Sequence, residues 1–254
     1  MRALSLGLSF LTRLPWPTVH DADAATLGAS VRAWPLAGVV VASAGLVGVT
    51  VGAWGVDVAV GAGLALILMV VVTGGLHLDG LSDCIDGILC NGDAQRRLTV
   101  MHDPRVGGLG AACTALWLLL KTALLLACIQ RGVTGEALWC ACILARGALP
   151  LEVRFGTPAT PGKGLFATMK GALGTADAAV AVVLALALTA PVLRLSPEIG
   201  VALGIGSVAA AAVSFAWAAW WRVHIGGING DVLGAAVELR EATMLAAFAS
   251  PLLA

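Results

Sequence analysis

The sequence predicts an all-α, polytopic integral membrane protein, with about seven transmembrane helices enclosing a polar cavity that faces the cytoplasm and residues 1–254 forming one domain. Three observations carry that expectation. Hydrophobic residues make up 59% of the chain and charged residues 12%, against a globular norm of about 25% charged. Seven apolar runs are long enough to cross a bilayer, which takes about 20 residues of helix each. The basic residues between those runs alternate in number along the chain.

The runs are Trp34 to Trp54, Val56 to Leu76, Leu109 to Ile129, Val133 to Leu151, Asp177 to Leu195, Ile199 to Val223 and Val232 to Ala254. With these crossings, one side of the membrane receives Arg2, Arg13, Arg32, Arg96, Arg97, Arg105, Arg154, Lys163, Lys170 and Arg222, and the other only Arg131 and Arg194. Cytoplasmic loops carry the excess of positive charge. The N-terminus and the two long polar loops, 77–108 and 152–176, are therefore expected in the cytoplasm, and loops of that length are where function concentrates.

The N-terminal stretch has the basic start and apolar run of a signal peptide, but Arg13 and two prolines follow without a small-residue cleavage site, so it is expected to stay attached. Trp34, Trp54, Trp220 and Trp221 stand at span ends and read as interfacial anchors. Gly48 with Gly52, and Gly200 with Gly204, have the small-xxx-small spacing that lets helices approach closely. The six cysteines form no C-x-x-C pair, and four lie in apolar segments, where thiols act as small hydrophobes. Lys plus Arg equals Asp plus Glu at 15 each, so the basic excess that nucleic acid requires is missing.

The densest polar chemistry follows the second run. Asp79, Asp83 and Asp86 fall at i, i+4 and i+7, within an arc of roughly 60° on a helix. Like charges at that spacing repel, so the pattern makes sense around a cation, and oxygen-only ligands favour Mg2+ or Mn2+ over zinc. A Mg2+ held by carboxylates commonly completes its shell with phosphate oxygens. Arg96, Arg97, His102, Asp103 and Arg105 supply polar groups downstream, the arginines being suited to phosphate. A second node, Gly226 to Ala236, places Asn229 and Asp231 at the start of the last run, on the same expected face of the membrane. Both residues also read as ordinary helix N-caps. Lys121, Arg146, Glu238, Arg240 and Glu241 lie within the runs and are functional or paired by default.

These patches resemble the cobalamin synthase family, the adenosylcobinamide-GDP ribazoletransferases. The resemblance rests on FLTRLPWP (Phe10 to Pro17), WPLAGVVVA (Trp34 to Ala42), HLDGLSDCIDG (His77 to Gly87), RRLTVMHDPRVGGLGA (Arg96 to Ala111), LARGA (Leu144 to Ala148) and GGINGDVLGAAVELRE (Gly226 to Glu241). Two departures stand out: Asn229-Gly230-Asp231 where the family reads T-G-D, and Asp103-Pro104-Arg105 where it reads D-S-R.

The resemblance implies a Mg2+-dependent phosphotransferase in a prokaryotic cytoplasmic membrane. A ribose hydroxyl of α-ribazole or its 5′-phosphate would attack the cobinamide-linked phosphorus of adenosylcobinamide-GDP, releasing GMP and giving adenosylcobalamin or its 5′-phosphate. Metal ligands would be Asp79, Asp83, Asp86 and Asp231, with Asp79, Asp83 and Asp86 catalytic and either Asp83 or Asp86 accepting the proton. Substrate contacts would come from Arg13, His77, Arg96, Arg97, Asp103, Arg105, Arg146 and Asn229.

Two alternatives stay open on sequence: a membrane phosphotransferase of the CDP-alcohol phosphatidyltransferase type, and a cation-coupled transporter. Ser82-Asp83 stands where the first would have Ala-Arg, and the internal repeats of the second are not visible. The expected partners are those small-molecule substrates and the lipid bilayer, and a homo-oligomer is compatible with the sequence.

Overall fold

A computed structural model of the chain describes residues 1–103, 105 and 107–251. It is helical nearly throughout: α1 (Arg2–Leu11), α2 (Ala24–Ser30), α3 (Trp34–Gly55), α4 (Val58–Thr73), α5 (Leu76–Leu89), α6 (Ala94–Met101), α7 (Gly108–Gln130), α8 (Thr134–Phe155), α9 (Gly164–Ala172), α10 (Thr175–Thr189), α11 (Pro197–Ile225) and α12 (Gly230–Ala249).

Each of the seven apolar runs lies on a helix, though their edges move. The second run stops at Thr73, and the end of the fifth tightens into a 3-10 turn, Ala190–Arg194. The last three residues of the seventh lie outside the described residues.

Among the described residues, four stretches are long and apolar enough to cross a membrane, namely Ala24–Gly55, Gly108–Gln130, Thr175–Arg194 and Pro197–Ile225, and the bent pair α4 and α5 adds a fifth candidate. Helices α8 and α12 fall short of that apolarity for a physical reason. They stand at the centre, α8 against α3, α10 and α12, and α12 against α5, α7, α8 and α11. Their surfaces therefore meet protein more than lipid and carry charge.

Away from the first turns and the last residues of these helices, that charge is paired. Lys121 Nζ donates to Glu238 Oε2 at 2.7 Å and to Glu241 Oε2 at 2.8 Å, while Arg146 donates to Glu241 Oε1 at 2.6 Å and to the Cys142 carbonyl at 3.0 Å. Trp117 Nε1 adds a hydrogen bond to Glu238 at 3.1 Å. Arg240 pairs with Glu152 and reaches Ser214 Oγ and the Ala145 carbonyl. Two cations and two carboxylates in the first cluster cancel, which makes burial of these groups tolerable. One helix is thereby tied to α7, α8 and α11.

The small-residue spacing is realised once. Cβ atoms added at Gly48 and Gly52 would fall 2.5 Å from Ala65 Cα and 2.4 Å from Gly61 Cα, so α3 and α4 touch backbone to backbone. Gly204 has open space around it and Gly200 meets only Leu193 at 3.9 Å, so that pair makes no helix contact.

The tryptophans also divide. Trp54 is 93% exposed, as an anchor requires, but Trp34 is 1% exposed and stacked on Phe10, and Trp221 is fully buried among Trp217 and Trp220. Trp34 and Trp221 are core residues, because each sits on the face of its helix that turns inward. All six cysteines are free thiols, and Cys84, Cys128, Cys140 and Cys142 are buried.

Gly74 and Gly75 set the position of the polar site. Both adopt left-handed backbone, φ 64° and φ 72°, which glycine reaches without a Cβ penalty. The chain turns by 91° between α4 and α5. Asp79, Asp83 and Asp86 stand on α5, beyond that turn.

Candidate active site

The site is built where α5 crosses the start of α12. A Cβ on Gly80 would lie 2.8 Å from the Asp231 carbonyl oxygen, so Asp79 and Asp83, on either side of Gly80, share space with Asp231. A parallel bridge between Pro158 and Ile228, with Ala159 N–H donating to the Ile228 carbonyl and Ile228 N–H to that of Thr157, ties the loop before α9 to the turn before α12. Asn229 then caps α12: its Oδ1 accepts from Val232 N–H at 3.0 Å, and its Nδ2 donates to Asp231 Oδ2 at 2.9 Å. The cap is thus Asn229, and the Asp231 carboxylate faces away from that duty.

Asp83 is pushed up to about 7, first by burial and then by the charges of Asp231, Asp79 and Asp86. Asp231 is also raised, chiefly by burial, with His102 and the Asn229 hydrogen bond opposing. Among the described residues none of these four carboxylates has an ion-pair partner.

Asp86 differs from the others. Its two oxygens accept from Gly107 N–H at 2.9 Å and Gly110 N–H at 3.0 Å, so it caps the first turn of α7. Each oxygen keeps a further lone pair.

The other predicted residues separate into two groups. Arg13, exposed, lines a cavity of about 490 Å³ together with Phe10, Trp34, His77, Asp79 and Asp231. A second cavity, of about 150 Å³, is lined by His102, Thr160, Lys163, Phe166, Asn229 and Asp231. The two share Asp231.

The second group is engaged elsewhere. Arg97 donates to the carbonyls of Gly87 and Ile88 at 2.6 Å and 3.0 Å, closing the end of α5. Asp103 and Arg105 pair with each other at 2.8 Å on the surface, which holds Asp103 down to about 2. Pro104 lies outside the described residues. Arg96 is exposed. Arg146 sits in the buried ionic cluster, and His77, while also lining the larger cavity, borders a small void against that cluster, its buried Nε2 having no hydrogen-bond partner among the described residues.

Sequence reasoning did not single out Phe10, Trp34 or Phe166 as site residues, and it took Lys163 as loop charge. The patches containing Phe10 and Trp34 held the available signal.

Oxygen donors without a protein counter-cation fit a hard divalent ion by their chemistry. Among the described residues no three acidic, His or Cys side chains already converge as a ligand set. The fit is therefore one of donor type and charge.

A membrane-embedded helical protein with a carboxylate-lined site is the class these features define. The family model for cobalamin-5-phosphate synthase matches residues 3–249, and the chain belongs to that family. It is 34% identical to the adenosylcobinamide-GDP ribazoletransferase of Thiobacillus denitrificans over 96% of this chain and 94% of that one. It is 35% identical to the Pseudomonas aeruginosa enzyme of the same name over 98% of both. A Roseiflexus relative of that name is 34% identical over 94% of this chain and 86% of its own length. No solved structure matches.

Proposed function

We propose that the protein transfers the adenosylcobinamide phosphate moiety of adenosylcobinamide-GDP to α-ribazole or its 5′-phosphate, releasing GMP in the last steps of cobalamin formation. The observation that carries this reading is the family match over residues 3–249, joined by Asp79 and Asp231 on the wall of a cavity of about 490 Å³ and by Asp83, whose carboxyl feels the charges of both.

Asp79, Asp83 and Asp231, with the remaining lone pairs of Asp86, would hold Mg2+, which when bound neutralises charge on pyrophosphate oxygens. Asp83 would accept the proton of the attacking hydroxyl as general base: burial and its acidic neighbours raise its affinity for a proton before the ion binds. Arg13, which lines the same cavity as Asp79, grips phosphate oxygens, and a guanidinium does so bidentately. His102 and Lys163 line the smaller cavity and provide a second anion contact. Sharing Asp231, the two cavities offer adjacent places for donor and acceptor.

The reading includes the topology. Seven crossings, a cytoplasmic N-terminus and a site open to the cytoplasm of a prokaryotic inner membrane are supported by the ten-to-two distribution of basic residues. Residues 1–254 act as one catalytic domain.

The test is GMP release by the purified protein. Release that requires both substrates is expected, and its absence with correctly inserted protein contradicts the reading.

A further inference from the structure

Helix α10 packs on α8, whereas α11 packs on α12, and a gap is left between α10 and α11 although both are long enough to cross the membrane. The gap is a cavity of about 570 Å³ with walls that include Leu144, Leu151, Leu186, Phe215 and Met244. Its rim is apolar and open: Phe155, Leu186 and Phe215 are 66%, 56% and 73% exposed. At the depth of spanning helices that rim faces hydrocarbon, and an unfilled apolar groove forfeits dispersion contacts along its whole lining.

The charges in this groove are three. Glu152 and Arg240 pair with each other. That leaves Arg222, which among the described residues has no hydrogen bond or ion pair. It sits one turn from the end of α11 and also lines an adjoining cavity of about 60 Å³ with Phe155, Gly156 and Gly227. Lys170 donates to the Gly156 carbonyl, and Arg154 lies next to Phe155. The groove is therefore apolar along its length and positive at one end, which is the complement of an anionic amphiphile.

We infer that this groove holds one phospholipid of net negative charge, its acyl chain between α10 and α11 and its phosphate on Arg222. The inference is independent of the transfer reaction, since the groove shares only Ile228 with the cavities of the candidate active site and none of the carboxylates or phosphate contacts proposed there lines it. It gives α10 and α11 the continuous packing that the protein alone does not supply.

The experiment uses the full chain, mildly delipidated in detergent, with phosphatidylglycerol and phosphatidylcholine added separately. Bound lipid is counted by native mass spectrometry and stability is followed by thermal melting. Wild type is expected to retain one phosphatidylglycerol and to melt higher with it than with phosphatidylcholine. Arg222→Gln should bind phosphatidylglycerol about fivefold more weakly, the loss of one cation at a headgroup, and no longer distinguish the two lipids. Ala211→Trp, which fills the groove from α11, should lose the lipid while staying folded. Equal lipid retention in all three proteins, equal response to both lipids in wild type, or cross-links between Phe215→Cys positions of two copies would each overturn the inference, the last by assigning the groove to a second chain.

Discussion

Gly80 on α5 lies against the backbone of Asp231 at the start of α12, so that a Cβ at position 80 would stand 2.8 Å from the Asp231 carbonyl oxygen and 3.0 Å from its Cα. This contact joins two acidic segments some 145 residues apart in sequence. Substitution Gly80→Val should push α5 from α12 at an overpacking cost of about 1–3 kcal/mol. A displacement of that kind should lower turnover by up to about 100-fold. Turnover and melting of the solubilised variant check this, and unchanged turnover would contradict it.

Asn229 and Asp231 should separate cleanly. Asn229 caps α12 through its Oδ1, so Asn229→Ala should cost about 1 kcal/mol of stability. Asp231→Asn keeps shape and leaves the cap in place, so turnover should fall with melting nearly unchanged. An Asp231→Asn protein with full turnover contradicts its role in the site.

The same pair shows what the sequence could tell. Both readings, cap and ligand, fit residues before an apolar helix, and only the hydrogen bond to Val232 N–H assigns the cap to Asn229. Asp86 had a helical spacing that placed it with Asp79 and Asp83, but its partners Gly107 and Gly110 are 21 and 24 residues away, beyond any local pattern. The apolar runs were legible because crossing a bilayer demands length and composition. Which face of a span turns inward was not, and so Trp34 and Trp221 read as anchors although both are buried. The charges of α12 pointed correctly to pairing, since charge in a span is otherwise too costly.

Removing one partner of the buried cluster should be severe. Glu241→Gln leaves Lys121 and Arg146 facing Glu238 alone, and breaking a buried pair this way costs about 3–5 kcal/mol. Adding Lys121→Met restores neutrality and should recover part of the loss in thermal melting. A double variant less stable than Glu241→Gln would contradict the pairing.

Asp83 predicts a pH dependence of stability in the metal-free protein. Its carboxyl is raised from 3.8 to about 7, so between those values the native state holds a proton that the unfolded chain has released. Stability therefore falls as pH rises across that window and levels off above it. Melting in chelator should show this fall, and Asp83→Asn should flatten it. Mg2+ should raise the melting temperature most above the window, where Asp83 is ionised. A wild-type profile as flat as that of Asp83→Asn would contradict the assignment.

The central claim is that carboxylates of α5 and Asp231 together bind the divalent ion that the transfer reaction uses. Binding of Mn2+, a spectroscopic substitute for Mg2+, to the purified full chain measures it directly by electron paramagnetic resonance. Wild type should bind the ion in competition with Mg2+, and Asp79→Asn and Asp231→Asn should each weaken binding by about tenfold or more, equivalent to about 1.4 kcal/mol. Equal Mn2+ affinity in wild type and both variants would contradict the claim.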